Sequence, residues 1–262
     1  MRRYAAFIPL ALMLVLAALP ARAQAPVIAC AVIRELPHDS GTSTQGFFIR
    51  DGVFYESSGG YNKSFLIKSD PDTGRALLTH PVDTNYFAEG IAPFKDGLRL
   101  LTWQSGTGFV HSLDSLRPSS HFPYRGRGLY HEGWGLACDE RFFIMSSGTA
   151  TLRFHSPESF TLVKTLTVTD NGRPVAMLNE LECVDGLIYA NVWKSDAVKI
   201  IDPATGRVLA TLDLSALRGR LSPDSGVANG IAYDAKAKRL YLTGKHWDKV
   251  FQIAVPSLPG LR

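Results

Sequence analysis

Beyond the first two dozen residues, the chain has no long stretch in which apolar residues recur three and four apart. Short runs of Val, Ile, Leu, Phe, Tyr and Thr recur instead, punctuated by Gly, Asp, Pro and Asn. That pattern predicts many short β-strands rather than helices. The strands also repeat as units. Gln45-Gly46, Glu89-Gly90, Glu132-Gly133, Asn179-Glu180 and Asn229-Gly230 each open a strand, a tight turn and a second strand. A second hairpin follows in the unit. Its turn is legible in Asp70-Pro71-Asp72-Thr73-Gly74, in Ser156-Pro157-Glu158-Ser159-Phe160 and in Asp202-Pro203-Ala204-Thr205-Gly206. Proline presets φ in such a turn and glycine supplies φ > 0.

Four strands per unit, with starts at positions 45, 89, 132, 179 and 229, predict an all-β, five-bladed β-propeller with four-stranded blades. The fifth unit ends one strand short, after residues 250–255. Residues 27–36, ahead of the first unit, are expected to supply its fourth strand and so close the ring without an exposed edge.

The innermost strands of a propeller line its channel, so the residues that open the five units should meet at one mouth. These are Gln45, Glu89, Glu132, Asn179 or Glu180, and Asn229. Phe47, Phe87, Trp103, Trp134 and Trp193 flank them. Flat apolar rings around a few polar groups suit a small molecule or a peptide end, and their π faces favour an amine.

Composition narrows the field. Arg2 and Arg3, an apolar run over 5–19 and Ala21-Arg22-Ala23 have the form of a cleavable export signal over 1–23. The propeller domain is then 24–262, in the periplasm or secreted, with Gln24 as its first residue. Losing Arg2, Arg3 and Arg22 lowers the net charge from +4 to +1. A near-neutral surface leaves no electrostatic footprint for nucleic acid. No membrane association is expected after cleavage, and a monomer is expected. Of the three cysteines, Cys138 and Cys183 sit at equivalent places in adjacent units and could pair; three buried thiols are the alternative. There is no CxxC, HxH or HExxH, so neither a metal site nor any other cofactor is expected.

Seven segments in order resemble the glutamine cyclotransferases of plants and bacteria. They are Thr44-Gln45-Gly46, Phe87-Ala88-Glu89-Gly90, Glu132-Gly133-Trp134-Gly135-Leu136, Leu178-Asn179-Glu180-Leu181-Glu182, Ala190-Asn191-Val192-Trp193, Asn229-Gly230-Ile231-Ala232-Tyr233 and Thr243-Gly244-Lys245-His246-Trp247. The resemblance implies a metal-independent glutaminyl-peptide cyclotransferase. Such an enzyme closes the N-terminal glutamine of a peptide or protein to pyroglutamate and releases ammonia. It assigns Glu89 as acid/base and puts Gln45, Asn179 and Lys245 among the polar groups of the pocket; by side-chain type, Asn179 and Lys245 are candidate donors to the amide oxygen. Gln45, Phe87, Trp103, Trp134 and Trp193 become the substrate pocket. Glu132, Glu180 and Glu182 read as structural groups. The chain departs from the family's usual pattern at Tyr61-Asn62-Lys63, Ser147 and Asp248. Two rival readings are a propeller lactonase with a channel calcium held by Glu89, Glu132, Glu180 and Asn229, and a propeller that binds peptide or sugar without turnover.

Overall fold

The structure, a computed structural model, describes residues 24–124, 132–139 and 141–258. The expected export signal lies outside them. Five sheets radiate from a channel, and the innermost strands are Thr44–Arg50, Ala88–Phe94, Leu136–Cys138, Leu178–Val184 and Ala228–Asp234. We number the blades I to V in that order. Blades I to IV each add three antiparallel strands outward in sequence order. The turn in blade I shows why the pattern was readable: Asp70 Oδ1 accepts from Thr73 N at 2.8 Å, and Gly74 sits at φ +66.

In blade V, Val32–Pro37 pairs antiparallel with Lys249–Ile253, so the N-terminal strand closes the ring. The segment expected as one strand is in fact two. Val27–Ala29 pairs in parallel with Val208–Asp213 and becomes a fifth strand on blade IV. The chain changes blades at Cys30-Ala31, where Cys30 N donates to Asp213 O and Ala31 O accepts from Ala254 N. One stretch of chain therefore stitches two blades together.

A buried ion pair reinforces the closure. His38 follows the closing strand and donates through Nε2 to Glu56 Oε2 at 3.0 Å and through Nδ1 to Trp247 O at 2.7 Å. Side-chain exposure of this pair is only 7% and 3%. Both partners are acceptors, so the geometry requires an imidazolium. Burial alone would depress its pKa, but Glu56 and the Trp247 carbonyl raise it to about 9. Thr44 Oγ1 bonds to both Glu56 and Gly244 O, which ties blade I to the same network.

Between blades the packing is apolar. Leu212, Leu240, Leu242, Trp247 and Phe251 form one buried layer between blades IV and V. Trp247 is wholly buried there and donates to Gly226 O. The three cysteines are thiols. No helix among the described residues is long and apolar enough to cross a membrane.

Candidate active site

Gln45, Glu89 and Asn179 are each the second residue of an inner strand. Phe87 and Trp134 stand just before inner strands. Trp103, Trp193 and Lys245 directly follow the second strands Gly97–Thr102, Leu187–Val192 and Arg239–Gly244. All eight line one cavity of about 190 Å³ at this end of the channel. That is below the range of about 300–1,000 Å³ typical for drug-sized ligands and suits a single long side chain.

The repeated opening dipeptide has a steric cause. A Cβ on Gly46 would lie 2.4 Å from Ile91 N, and one on Gly90 would lie 2.5 Å from Leu136 N. Glycine at these places lets neighbouring inner strands approach closely enough to make a narrow channel. The same contact falls on Gly135 in blade III, against Asn179 O. The opener of blade III is therefore Trp134, two residues later than the repeat suggests. In blade IV the glycine is replaced by Glu180, which is wholly buried. Its Oε1 accepts from Phe47 N at 3.3 Å and its Oε2 from Ile231 N at 2.9 Å, joining blade IV to blades I and V.

Displaced from the ring of openers, Glu132 serves the indoles. Its Oε2 accepts from Trp103 Nε1 at 3.0 Å and Trp134 Nε1 at 2.9 Å, and its Oε1 from Gln104 Nε2 at 3.0 Å. Burial pushes its pKa up, but these three donors outweigh that and the net shift is downward. Glu132 is thus a carboxylate that sets the angle of two walls. Trp134 and Trp193 meet edge to face at 5.5 Å, and Phe87 lies 5.6 Å from Trp103. Tyr61, 48% exposed, extends this wall over Phe87 at 5.6 Å. Sequence reasoning noted Tyr61 as a departure from the family pattern and did not count it among the pocket rings. It also had no account of Glu132's grip; an acid two residues before a tryptophan of the channel ring was the available signal.

We expect Glu132→Ala to lower kcat/KM by about 10–100-fold, since charge-assisted hydrogen bonds of about 1.5–3 kcal/mol each are lost from the cage. Glu132→Gln, which keeps the shape but not the charge, should move the Glu89-dependent limb of the pH–rate profile to lower pH. A profile unchanged in both variants would rule out this positioning role.

Glu89 is 6% exposed, and its carboxyl accepts no hydrogen bond from any described residue. Burial holds its pKa well above the usual carboxylate range. The Glu132 charge adds to that, and the Lys245 ammonium pulls the other way. Lys245 is pushed down by burial, partly offset by Glu89. Asn179 is buried, with Oδ1 lacking any partner. A buried polar atom without a partner at a cavity wall leaves a hydrogen bond for a ligand to supply. The cavity thus brings the buried carboxyl of Glu89, the Lys245 amine and the Asn179 amide together within a wall of rings.

A larger cavity of about 730 Å³ opens at the other end of the inner strands, among Arg50, Asp51, Lys95 and Lys236. Its charges already satisfy one another: Asp51 pairs with Arg50 and Lys236, and Arg50 donates to Lys95 O. Seven-residue strands at ~3.3 Å per residue put it roughly 20 Å from Glu89. Of the four residues proposed for calcium, Glu180 is occupied by backbone N–H groups, which repel a cation, and Glu132 by indoles. Among the described residues no group of three or more His, Cys, Asp or Glu is arranged to hold a metal ion.

Fold and site together define a five-bladed propeller with a small aromatic pocket built around one buried acid. The profile of the glutamine cyclotransferase family matches residues 6–255. A glutaminyl-peptide cyclotransferase from Arabidopsis thaliana is 37% identical over 227 residues, covering 85% of this chain and 70% of that protein. The crystal structure of Myxococcus xanthus glutaminyl cyclase superimposes with a TM-score of 0.79 at 35% identity, covering 88% of this chain and 97% of that one. The chain belongs to the glutamine cyclotransferase family.

Proposed function

We propose that this chain closes the N-terminal glutamine of peptides or proteins to pyroglutamate, with Glu89 as the group that carries the proton. The observation that supports this most is Glu89 itself: a buried carboxyl with no hydrogen bond from any described residue, in a cavity shared with Lys245 and with Asn179, whose Oδ1 is unpaired.

The substrate α-nitrogen must attack its own γ-carboxamide carbon, and a protonated amine cannot. Free α-amines have a pKa of about 8, and the raised pKa of Glu89 narrows the gap across which that proton moves. Glu89 takes a proton from the attacking nitrogen. The C–N bond of the carboxamide then breaks, and Glu89 returns the proton to the departing nitrogen, which leaves as ammonia. Lys245 faces the amide oxygen as negative charge develops on it, a stabilisation that removes about 3 kcal/mol from comparable barriers. Asn179 was a candidate second donor. Its unpaired Oδ1 suits it equally to accept from the carboxamide N–H and so fix that group's orientation. Gln45 and the rings hold the side chain folded for attack.

The export signature over 1–23 supports action in the periplasm or outside the cell. Ammonia release from a glutamine-initiated dipeptide, unaffected by chelator, is the expected result. Calcium-dependent lactone hydrolysis without ammonia release would overturn the reading.

A further inference from the structure

We propose that Gln24 is itself a substrate, closed to pyroglutamate by another copy of this chain. The inference rests on the reaction proposed above and on two observations outside the pocket. Cleavage after Ala21-Arg22-Ala23 presents a free glutamine as residue one of the exported protein, which is the chemical group the reaction requires. The structure then decides which molecule can act on it.

Gln24 is exposed at the outer edge of blade IV. Just beyond it the chain is fastened down. Pro26 O accepts from Thr211 N at 2.9 Å, and Val27–Ala29 lie in parallel register with Thr211, Leu212 and Asp213. This edge strand is fifth in its sheet, four strand spacings of ~4.8 Å from the inner strand, so it lies roughly 19 Å from the channel. Two free residues cannot span that distance, since an extended residue reaches only ~3.5 Å. A folded molecule therefore cannot place Gln24 in its own pocket. A second molecule faces no such barrier. Upstream of Pro26 the chain is held by the Ala25 N to Asp170 Oδ1 bond, which at 3.4 Å is long, and by the small, half-buried Ala25 methyl against the apolar cluster beneath it. Gln24 and Ala25 can lift away from Asp170 while residues 26–29 stay paired.

The chemistry balances within the N-terminus. The α-nitrogen bonds to Cδ, the Cδ–Nε2 bond breaks, and ammonia departs with one proton from the α-amine. The product carries no N-terminal charge. The chain would thus lose its α-ammonium beside the Asp170–Lys199 ion pair.

The test is intact-mass and N-terminal peptide analysis of the full chain, exported with its own leader from a host lacking this activity. Wild type and Glu89→Gln are compared, and ammonia release from a glutamine dipeptide is measured on the same samples. Wild type should begin at residue 24 and be lighter by one ammonia. Glu89→Gln should carry an open Gln24 that closes when a trace of wild type is added, at a rate proportional to the wild type added. An active wild type with open Gln24, or an N-terminus elsewhere, would overturn the inference while leaving the proposed reaction standing. Equal closure in both proteins would also overturn it, as spontaneous or host chemistry. Failure of the dipeptide assay would instead strike the reaction itself, and this inference with it.

Discussion

Replacing Glu89 by glutamine should reduce ammonia release from glutaminyl peptides by about 10³-fold in kcat while leaving KM within a few-fold. The substitution keeps the volume of the side chain and removes only its ability to accept and return a proton. The cavity walls do not depend on that carboxyl, because no described residue donates a hydrogen bond to it. The indoles are held by Glu132, and the openers by the glycine contacts and by Glu180. Substrate should therefore still enter, and the loss should fall on the chemical step. Steady-state kinetics with unblocked dipeptides checks this. A rise in KM with kcat preserved would make Glu89 a binding group and leave the proton transfer without a carrier.

His38→Ala should destabilise the fold by about 3–5 kcal/mol, the range for removing one partner of a buried ion pair. The loss would come mainly from Glu56, left as a buried carboxylate with Thr44 as its remaining donor. The site should suffer as well. Trp247 O and Gly244 O, both held by this network, bracket Lys245. The pH dependence follows from the same pair. With its folded pKa raised to about 9, His38 contributes fully below the ordinary histidine value of about 6.5. That contribution fades as pH climbs through 9. Glu182, near the far end of the channel, acts with the same sign. Burial raises its pKa to about 8, so the native state holds a proton that the unfolded chain releases earlier. Denaturant unfolding from pH 6 to 10 should show stability falling with pH in the wild type and a shallower slope in His38→Ala. Equal slopes would mean that the imidazolium is not what fastens the ring.

The propeller was legible because its turns and its opening glycines are local rules with steric causes. Gly46 and Gly90 recur since any Cβ there would strike the next blade. The pocket was legible for a related reason. Gln45 and Glu89 stand beside those glycines at the channel mouth, and the expected residues at the ends of the second strands join them, so the eight expected side chains share one cavity. What the pattern could not supply were features decided by distant partners. Residues 27–36 are uniformly strand-like, and only the positions of two sheet edges divide them at Cys30-Ala31. Glu132 imitates an opener because Glu-Gly recurs in blade II, yet the steric contact belongs to Gly135. The His38–Glu56 pair spans 18 residues and carries no motif.

The most direct test is a crystal structure of the Glu89→Gln variant with a glutaminyl dipeptide. The account predicts the glutamine side chain inside the cavity, its α-nitrogen and carboxamide both within hydrogen-bonding reach of residue 89, and its amide oxygen toward Lys245. Peptide seated at the opposite mouth, or a carboxamide turned away from residue 89, would contradict it.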